Sequence, residues 1–505
     1  MKPNVLLIMV DQMRYDCLSI LNHPVVDTPN LDQLARDGVL FENAYSATPT
    51  CVPARATVLT GMSQNATGKV GYEERVPFDY KRTIAHEFTK GGYHTQAVGK
   101  MHVYPARNLA GFHNVVLHDG YLHYNRMKKE SHMAESFDET DDYLPWLRER
   151  AGSQVDLLDL GLDCNASTVS RPWHLKEEWH PTNWTVTQSI DFLRRRDPSK
   201  PFFLKMSFVR PHSPLDPPQY YYDMYKDLDM PEPPIGDWVD TEDEELKGFN
   251  PITDRGVVPK QRLKRAQAAY YGLITHIDHQ IGRFMQSLIE YGEYNNTVML
   301  FVSDHGELMG DHHLFRKSFP YEGSSHIPFI LADPGNVLHL KKNTRNEATI
   351  ELKDVMPTLL DAAGLPIPET VEGKSVLSLL KEAPIDWREY IHGEHYYGKE
   401  SYHSITTNHD KYIWYSQTGV EQYFNLEKDP EEKVNLINDA DYQKQIESRR
   451  QQLIEELKDR EEGFTDGQVL IVGQEIKPTL SYKKQSKEEE PHSDPKKYYG
   501  RNKTN

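Results

Sequence analysis

Hydrophobic residues form two fully apolar runs, one at the start of the chain and one near residue 300, and a polar pair follows each. A run of this length is typical of a strand that is buried on both faces of a parallel sheet. In open α/β sheets ligands collect at the carboxyl ends of the strands, so we expect both polar pairs at one functional edge. The runs and their pairs are residues 4–10 with Asp11 and Gln12, and Thr297–Ser303 with Asp304 and His305.

The rest of the first 370 residues alternates between segments with helical periodicity and further apolar runs. Such alternation predicts an α/β fold in which a large mixed, mostly parallel sheet is sandwiched by helices. A segment rich in Pro, Asp and Tyr, residues 216–260, is predicted to be a loop. Helices are predicted at residues 29–38 and 261–291, and strands at residues 93–99 and 201–209.

Beyond residue 346 the pattern changes to short aromatic runs and charged helical segments. It predicts a large domain over residues 1–370, and a smaller C-terminal α+β domain over residues 371–465 that carries a short antiparallel sheet. Residues 466–505 are rich in Lys, Glu and Pro and are predicted to be an extended tail. Helices are predicted at 354–363 and 443–460, and strands at 402–407 and 412–416.

Composition narrows the class of partner. A chain of 505 residues with 38% hydrophobic residues can bury a large core, and its formal net charge of -18 argues against nucleic acid or an anionic membrane as partners. No apolar run is long enough for an export signal or a membrane span. The expected location is therefore cytoplasmic, or periplasmic or secreted if an export signal has been removed. The odd count of three cysteines leaves at least one thiol unpaired, and the sequence does not indicate an oligomeric state.

The most specific motif is Cys51-Val-Pro-Ala-Arg55, which continues to Gly61 through Ala-Thr-Val-Leu-Thr. As an isolated pentapeptide it would equally suit a buried cysteine before a helix. It resembles the signature of the sulfatase family, Cys-x-Pro-x-Arg followed by Thr-Gly. The resemblance implies that a formylglycine-generating enzyme oxidises Cys51 to formylglycine, whose hydrate then attacks the sulfur of a sulfate ester.

The two polar pairs resemble the metal-binding pairs of the same family. The resemblance implies one divalent metal held by Asp11, Gln12, Cys51, Asp304 and His305. Hard oxygen ligands favour Ca²⁺, with Mg²⁺ or Mn²⁺ as alternatives. Histidine is a poor ligand for Ca²⁺, so His305 has the alternative role of a hydrogen bond to the nucleophile.

Several basic residues match further family positions. Taken singly, each lysine is more often a solvated charge and each histidine a structural group. By resemblance, Lys100 and Lys317 bind the sulfate oxygens and Arg55 holds the formylglycine. His102 is the base that restores the aldehyde, and His212, with Lys317, protonates the leaving oxygen.

The resemblance spans residues 3 to 460 and implies an alkaline phosphatase-like fold. The function that it implies is hydrolysis of a sulfate ester to an alcohol and sulfate. The first alternative is a phosphonate monoester or phosphodiester hydrolase of the same superfamily, since Gln12 and His305 occur in those enzymes too. The Lys100-Met-His102 pattern favours a sulfatase. A non-catalytic glycan-binding descendant is disfavoured because no ligand or nucleophile is missing, and the alternative that Cys51 stays a thiol is open.

Two stretches rich in histidine and aromatic residues suggest the nature of the substrate. They are residues 113–123, with His118 and Tyr121, and residues 173–184, with His174 and His180. Such side chains stack on sugar rings and bond hydroxyls, so a small sulfated saccharide is expected. Loops that pack their own aromatic residues would give the same pattern.

Overall fold

The computed structural model describes residues 2–120, 140–155, 160–247, 250–381 and 386–483. Eight strands form one large sheet in the order β4-β3-β5-β1-β6-β7-β2-β8, in which only β7 runs antiparallel to its neighbours. The predicted mixed, mostly parallel sheet is confirmed. The strands are β1 (Asn4–Asp11), β2 (Gly38–Tyr45), β3 (His94–Gly99), β4 (Asn114–Leu117), β5 (Phe202–Pro211), β6 (Thr297–Ser303), β7 (Phe329–Ala332) and β8 (Thr344–Glu351).

Strand β1 contains the first apolar run of the chain, and its surroundings explain why that run is unbroken. All eight of its residues are buried, and it pairs in parallel with both β5 and β6. Leu6, Ile8 and Val10 pack into the hydrophobic cluster on one face of the sheet, whereas Val5 and Leu7 pack into the cluster on the other. Because neither face meets water, all six positions between Asn4 and Asp11 are apolar.

Helices cover both faces of the large sheet. The long helix α9 packs on α6 and α7 on one face, while α2, α4 and α11 pack together on the other. Segment 216–260 is not loop throughout, because α7 and α8 interrupt it. The helices are α1 (Pro29–Arg36), α2 (Cys51–Thr60), α3 (Gln64–Thr67), α4 (Ile84–Lys90), α5 (Tyr143–Ala151), α6 (Pro181–Arg195), α7 (Gln219–Tyr225), α8 (Glu244–Lys247), α9 (Lys260–Glu290), α10 (Glu322–Ser325), α11 (Val355–Ala362) and α12 (Gln443–Leu457).

A separate four-stranded antiparallel sheet follows, in the order β12-β11-β10-β9. Helix α12 packs on one face, and side chains from the large domain, including Leu308 and Phe319, pack with the other. Hydrophobic burial therefore joins the small sheet to the main body. Its strands are β9 (Ile391–His395), β10 (Tyr402–Thr406), β11 (Asp410–Tyr415) and β12 (Glu421–Asn425).

The chain after α12 returns to the large domain. The backbone N–H of Val70 donates to the carbonyl of Pro478 at 3.0 Å, and that of Leu480 donates to Gly68 at 2.9 Å. The described part of the predicted tail is thus anchored, and residues 484–505 lie outside the described residues. Among the described helices, none combines the length and the apolar character that crossing a membrane requires.

Candidate active site

The site begins where β1 and β6 end side by side. Val10 pairs with Ser303, so the next residues, Asp11 and Asp304, lie next to each other with both side chains buried. The backbone N–H of Gln12, which has a φ of +72°, donates to Asp304 Oδ1 at 3.1 Å. Two carboxylates that the sequence separates by almost three hundred residues therefore meet at one sheet edge, as the sequence predicts.

Cys51 is the first residue of α2 and points at these carboxylates. Its Sγ lies 3.7 Å from Asp11 Oδ1 and 3.3 Å from His305 Nε2. Possible ligand atoms of Asp11, Cys51, Asp304 and His305 all lie within 4.8 Å of one another. The start of a helix carries a partial positive charge, which favours an anionic group at Cys51.

Arg55 follows Cys51 by four residues and so lies on the same face of α2. It is 1% exposed, and its Nε donates to Asp304 Oδ2 at 2.8 Å. Its Nη1 donates to the carbonyl of Lys100 and to Ser207 Oγ, both at 2.9 Å. The arginine thus ties the helix to the residues that follow β3 and β6 and to Ser207 within β5.

The segment after β3 brings Lys100 to Asp11, with the ammonium bonded to Oδ2. Gly99 before it has a φ of +91°, and a Cβ there would lie 1.9 Å from the carbonyl oxygen of Ser207. Only glycine fits this approach of two backbones. Buried Lys205, in β5, donates to the carbonyl of Lys100 at 2.7 Å and fixes the segment from below.

His102 and His212 border the same space. Asp119 accepts from the backbone N–H groups of Met101 and His102, at 2.7 and 2.9 Å, and holds His102 at a φ of +55°. Neither ring nitrogen of His102 has a hydrogen-bond partner. His212 Nδ1 bonds the carbonyl of Ser213 at 2.7 Å, which leaves Nε2 as the nitrogen available to a ligand.

Lys317 is a further basic residue at the site, and it contacts Gln12 rather than a carboxylate. Its ammonium donates to Gln12 Oε1 at 2.5 Å, and Gln12 Nε2 bonds the carboxylate of Glu307. Glu307 also accepts from the backbone N–H of Met309 at 2.9 Å. The amide is therefore oriented with its oxygen towards positive charge, which is the orientation that a metal ligand needs.

Charges in the site shift several pKa values. Burial alone would raise the pKa of Asp11, but the positive charges of Lys100 and Arg55 hold it well below its ordinary value. The pKa of Asp304 is raised by burial and by the charge of Asp11. Burial, reinforced by the nearby lysines, holds the pKa of His212 well below 6.5. Asp11 is therefore ionised and His212 neutral at neutral pH.

The donor set fits a divalent cation. Asp11 and Asp304 are adjacent buried carboxylates, an arrangement that a cation between them stabilises. The ammonium groups of Lys100 and Lys317 donate to oxygens of Asp11 and Gln12, so these oxygens already bind cationic groups. Carboxylate and amide oxygens are the ligands that Ca²⁺ and Mg²⁺ prefer.

A cavity of about 700 Å³ opens above these groups. Asp11, Cys51 and Lys100 lie at its floor, and His102, His212 and Lys317 border it. Positive charge and hydrogen-bonding histidines thus surround a concave space next to Cys51. Further residues from both domains form the walls, among them Tyr72, Glu74, Asp119, His395, Tyr396 and Tyr397.

The structure brings all ten site residues predicted from the sequence into one place. Reasoning from the sequence missed Asp119, Lys205, Glu307 and His395. Glu307 lies two residues after the second polar pair, a position that would have singled it out. The other three have no local sequence signal, because only the fold brings them to the site.

The two stretches rich in histidine and aromatic residues were expected to contact the substrate, but most of their described residues do not line the cavity. His118 is buried, bonds Asp141 at 3.0 Å and packs near Trp184, and His180 is buried beside His276. In the described part of the two stretches, only Asp119 and Gly120 line the cavity. His118, His180 and Trp184 pack within the protein, whereas His174 is exposed and does not line the cavity. Tyr121 and His123 lie outside the described residues.

Sheet order and site together place the chain among the alkaline phosphatase-like hydrolases. The model of the Sulfatase family matches residues 3–365, and that of the N-sulphoglucosamine sulphohydrolase C-terminal region matches residues 310–460. The chain belongs to the sulfatase family.

Relatives agree with this assignment. An arylsulfatase of Clostridium perfringens is 60% identical, over 94% of this chain and 98% of that protein. A choline-sulfatase of Rhizobium meliloti is 28% identical, over 86% and 82%. Among solved structures, a phosphonate monoester hydrolase of Agrobacterium radiobacter matches with a TM-score of 0.72 and 26% identity, over 90% of this chain and 95% of that one.

Proposed function

We propose that this enzyme hydrolyses sulfate esters of small molecules, with saccharides as the natural class, through a formylglycine made from Cys51. One observation carries the proposal. Cys51 Sγ lies among two buried carboxylates and His305, at the floor of a cavity whose rim is basic. An ordinary buried cysteine would be surrounded by apolar side chains, because a free cysteine in a core behaves as a small hydrophobic residue.

Maturation would convert the CH₂–SH group of Cys51 to an aldehyde. Two electrons and two protons leave the group, water supplies the oxygen, and the sulfur departs as hydrogen sulfide. A formylglycine-generating enzyme supplies the oxidant. The hydrated aldehyde then offers two hydroxyls on one carbon, one to attack sulfur and one to expel sulfate.

The metal assigned here is a single divalent ion, with Ca²⁺ favoured by the oxygen donors. Asp11, Gln12, Asp304 and His305 would hold it with residue 51, and it would supply Lewis-acid polarisation of the ester. His305 keeps its alternative role, because its Nε2 lies 3.3 Å from Cys51 Sγ.

Protein side chains would do the remaining work. The ammonium groups of Lys100 and Lys317 bind the sulfate oxygens and balance the charge that develops on them. His102 accepts the proton of the second hydroxyl, which its unpartnered ring nitrogens permit. His212 has Nε2 available, and the negative charge of a bound ester favours the protonation that lets it donate to the leaving oxygen.

A saccharide fits the cavity walls. Tyr72, Tyr396 and Tyr397 line the space beyond the basic rim. Tyrosines can pack on a sugar ring and bond its hydroxyls, and they accept an aryl group equally well. Aryl sulfates are therefore suitable test substrates.

The test compares 4-nitrophenyl sulfate with 4-nitrophenyl phosphate and a phenylphosphonate monoester. The enzyme is co-expressed with a formylglycine-generating enzyme and assayed with and without chelator. We expect the highest kcat/KM for the sulfate, sensitivity to chelator, and loss of turnover in Cys51→Ala with an unchanged fold. Mass spectrometry of the Cys51 peptide measures maturation directly. Near wild-type sulfatase activity of Cys51→Ala at saturating substrate would refute the mechanism.

The second candidate is a phosphonate monoester or phosphodiester hydrolase. It is favoured by the likeness to the solved phosphonate monoester hydrolase and by the Gln12 and His305 ligands. A higher kcat/KM for the phosphorus esters would select it, and the fold and nucleophile would be retained.

A further inference from the structure

One wall of the cavity is built by both domains. The backbone N–H of Tyr396, just after β9, donates to the carbonyl of Val70 at 2.8 Å, and Gly71 pairs with Tyr396 as a parallel bridge. This contact brings the segment after Gly71 beside the end of β9. The polar residues of this shared wall are Tyr72, Glu74 and His395.

His395 is a buried polar residue, and its contacts within the fold do not explain why this position carries a histidine. It is the last residue of β9, it is 2% exposed, and it lines the cavity. Neither of its ring nitrogens makes a hydrogen bond. Buried polar atoms in native proteins nearly always have partners, and one left without a partner destabilises the fold. A side chain that merely packed the interface would be better apolar.

The imidazole of His395 is neutral at neutral pH. Burial, together with the positive charge of His305, lowers its pKa from 6.5 to about 3, although the backbone of Tyr396 acts in the opposite direction. A neutral imidazole has one N–H donor and one acceptor nitrogen. It suits a neutral group that both donates and accepts, which is the property of a hydroxyl.

Glu74 adds an acceptor on the same wall. Its Oε1 accepts from the hydroxyl of Tyr72, whereas its Oε2 is buried and has no hydrogen-bond partner. A carboxylate repels a sulfate group, so this wall does not hold the anionic end of the ester. Lys100 at the floor and Lys317 at the rim attract that end.

We propose that His395 and Glu74 form a subsite for the leaving group, and that they bind a hydroxyl next to the sulfate ester. The inference rests on the proposed function and narrows its substrate class to esters of polyhydroxylated rings. Through His395 the small antiparallel sheet takes part in substrate selection. Both residues are specificity-determining and neither takes part in the chemical step.

The experiment uses two chromogenic esters that differ by one hydroxyl, 4-nitrophenyl sulfate and 2-hydroxy-4-nitrophenyl sulfate, in which the hydroxyl lies beside the ester. The preference for the second, as a ratio of kcat/KM values, is measured for wild type, His395→Phe and Glu74→Gln. His403→Phe is the control, because His403 is also buried in the small sheet but does not line the cavity. Inhibition by inorganic sulfate reports the floor of the site separately.

In His395→Phe we expect the preference to fall about tenfold, the effect of losing one hydrogen bond of ordinary strength. Glu74→Gln, which keeps the shape, should lower it less, and His403→Phe should leave it unchanged. The inhibition constant of sulfate should stay the same in all variants. The Glu74 variant keeps the test valid if thermal melting shows that His395→Phe is unfolded.

Two results would overturn the inference. One is an unchanged preference in both folded variants, and the other is a sulfate inhibition constant that rises as much as KM, which would place His395 on the sulfate itself. If wild type hydrolyses neither sulfate, the proposed function has failed. The same comparison with 4-nitrophenyl phosphate and 2-hydroxy-4-nitrophenyl phosphate then decides the subsite independently.

Discussion

Lys411 ties the small sheet to the large domain, and its removal gives a sharp test of the energetics. It lies in β11, it is fully buried, and its ammonium donates to Pro320 O at 2.9 Å, Glu322 Oε1 at 2.7 Å and Glu432 Oε1 at 2.8 Å. All three of its N–H groups are therefore used. In Lys411→Met the stem remains packed, but Glu322 and Glu432 lose the cation that they share.

The magnitude follows from burial. Breaking a buried ion pair by removing one partner costs about 3–5 kcal/mol, because the remaining charge has no compensation. Lys399 offers the matched control, since its ion pair with Glu245 is also 2.8 Å long but joins side chains that are 66% and 48% exposed. An exposed pair of this kind contributes about 0–1 kcal/mol. Lys399→Met should therefore hardly change stability.

Urea denaturation followed by tryptophan fluorescence compares the two variants with wild type. Equal losses in Lys411→Met and Lys399→Met would refute the reasoning, because burial would then not determine the strength of the pair.

Three further results are expected. Saturating Ca²⁺ should raise the thermal midpoint of wild type but not that of Asp304→Asn. A ligand at 100 times its Kd stabilises the native state by about 2.7 kcal/mol, which sets the size of the expected rise. An equal rise in both proteins would place the ion elsewhere. Gly99→Ala should lower both the free energy of unfolding and kcat, because its Cβ would lie 1.9 Å from Ser207 O. The control is Gly92→Ala, which has a similar φ of +87° but no atom within 4 Å of the added Cβ, and it should lose only a little stability. Comparable losses of kcat in the two variants would contradict the clash. Burial raises the pKa of Glu432 from 4.5 to about 7, so its contribution to stability is present below pH 4.5 and is lost as the pH rises through 7. Between pH 5 and pH 8, Glu432→Gln should therefore lose less stability than wild type, as thermal melts at both pH values would show. An identical loss in the two proteins would rule out this group.

The central strands were predictable because their environment is uniform. Strands β1 and β6 are buried on both faces, so each is a continuous apolar run, and β6 begins and ends where the sequence predicted. The polar pairs after them were equally visible, because parallel neighbours end at the same edge. Strand β8, in contrast, is Thr-Arg-Asn-Glu-Ala-Thr-Ile-Glu with two exposed residues, and its pattern does not separate it from a loop.

Residues that reach the site from a distance could not be predicted. His395 belongs to another sheet, and its place at the cavity depends on the backbone contact of Tyr396 with Val70. Lys205 lies inside an apolar strand, where a single lysine gives no indication that it bonds the carbonyl of Lys100. His118 and His180 failed as cavity residues because a pattern of aromatic side chains does not distinguish a binding surface from a core.

The order of the large sheet also bears on the time at which the chain can be modified. Strand β1 is central, yet Val5 pairs with Phe203 and Val298, residues made long after Cys51. Until β5 and β6 have been synthesised, the first strand has no parallel partner and the floor of the cavity cannot close. In the folded protein Cys51 is only 3% exposed. A maturation enzyme that must handle this cysteine would therefore act on the chain during synthesis, and the topology itself sets how long that opportunity lasts.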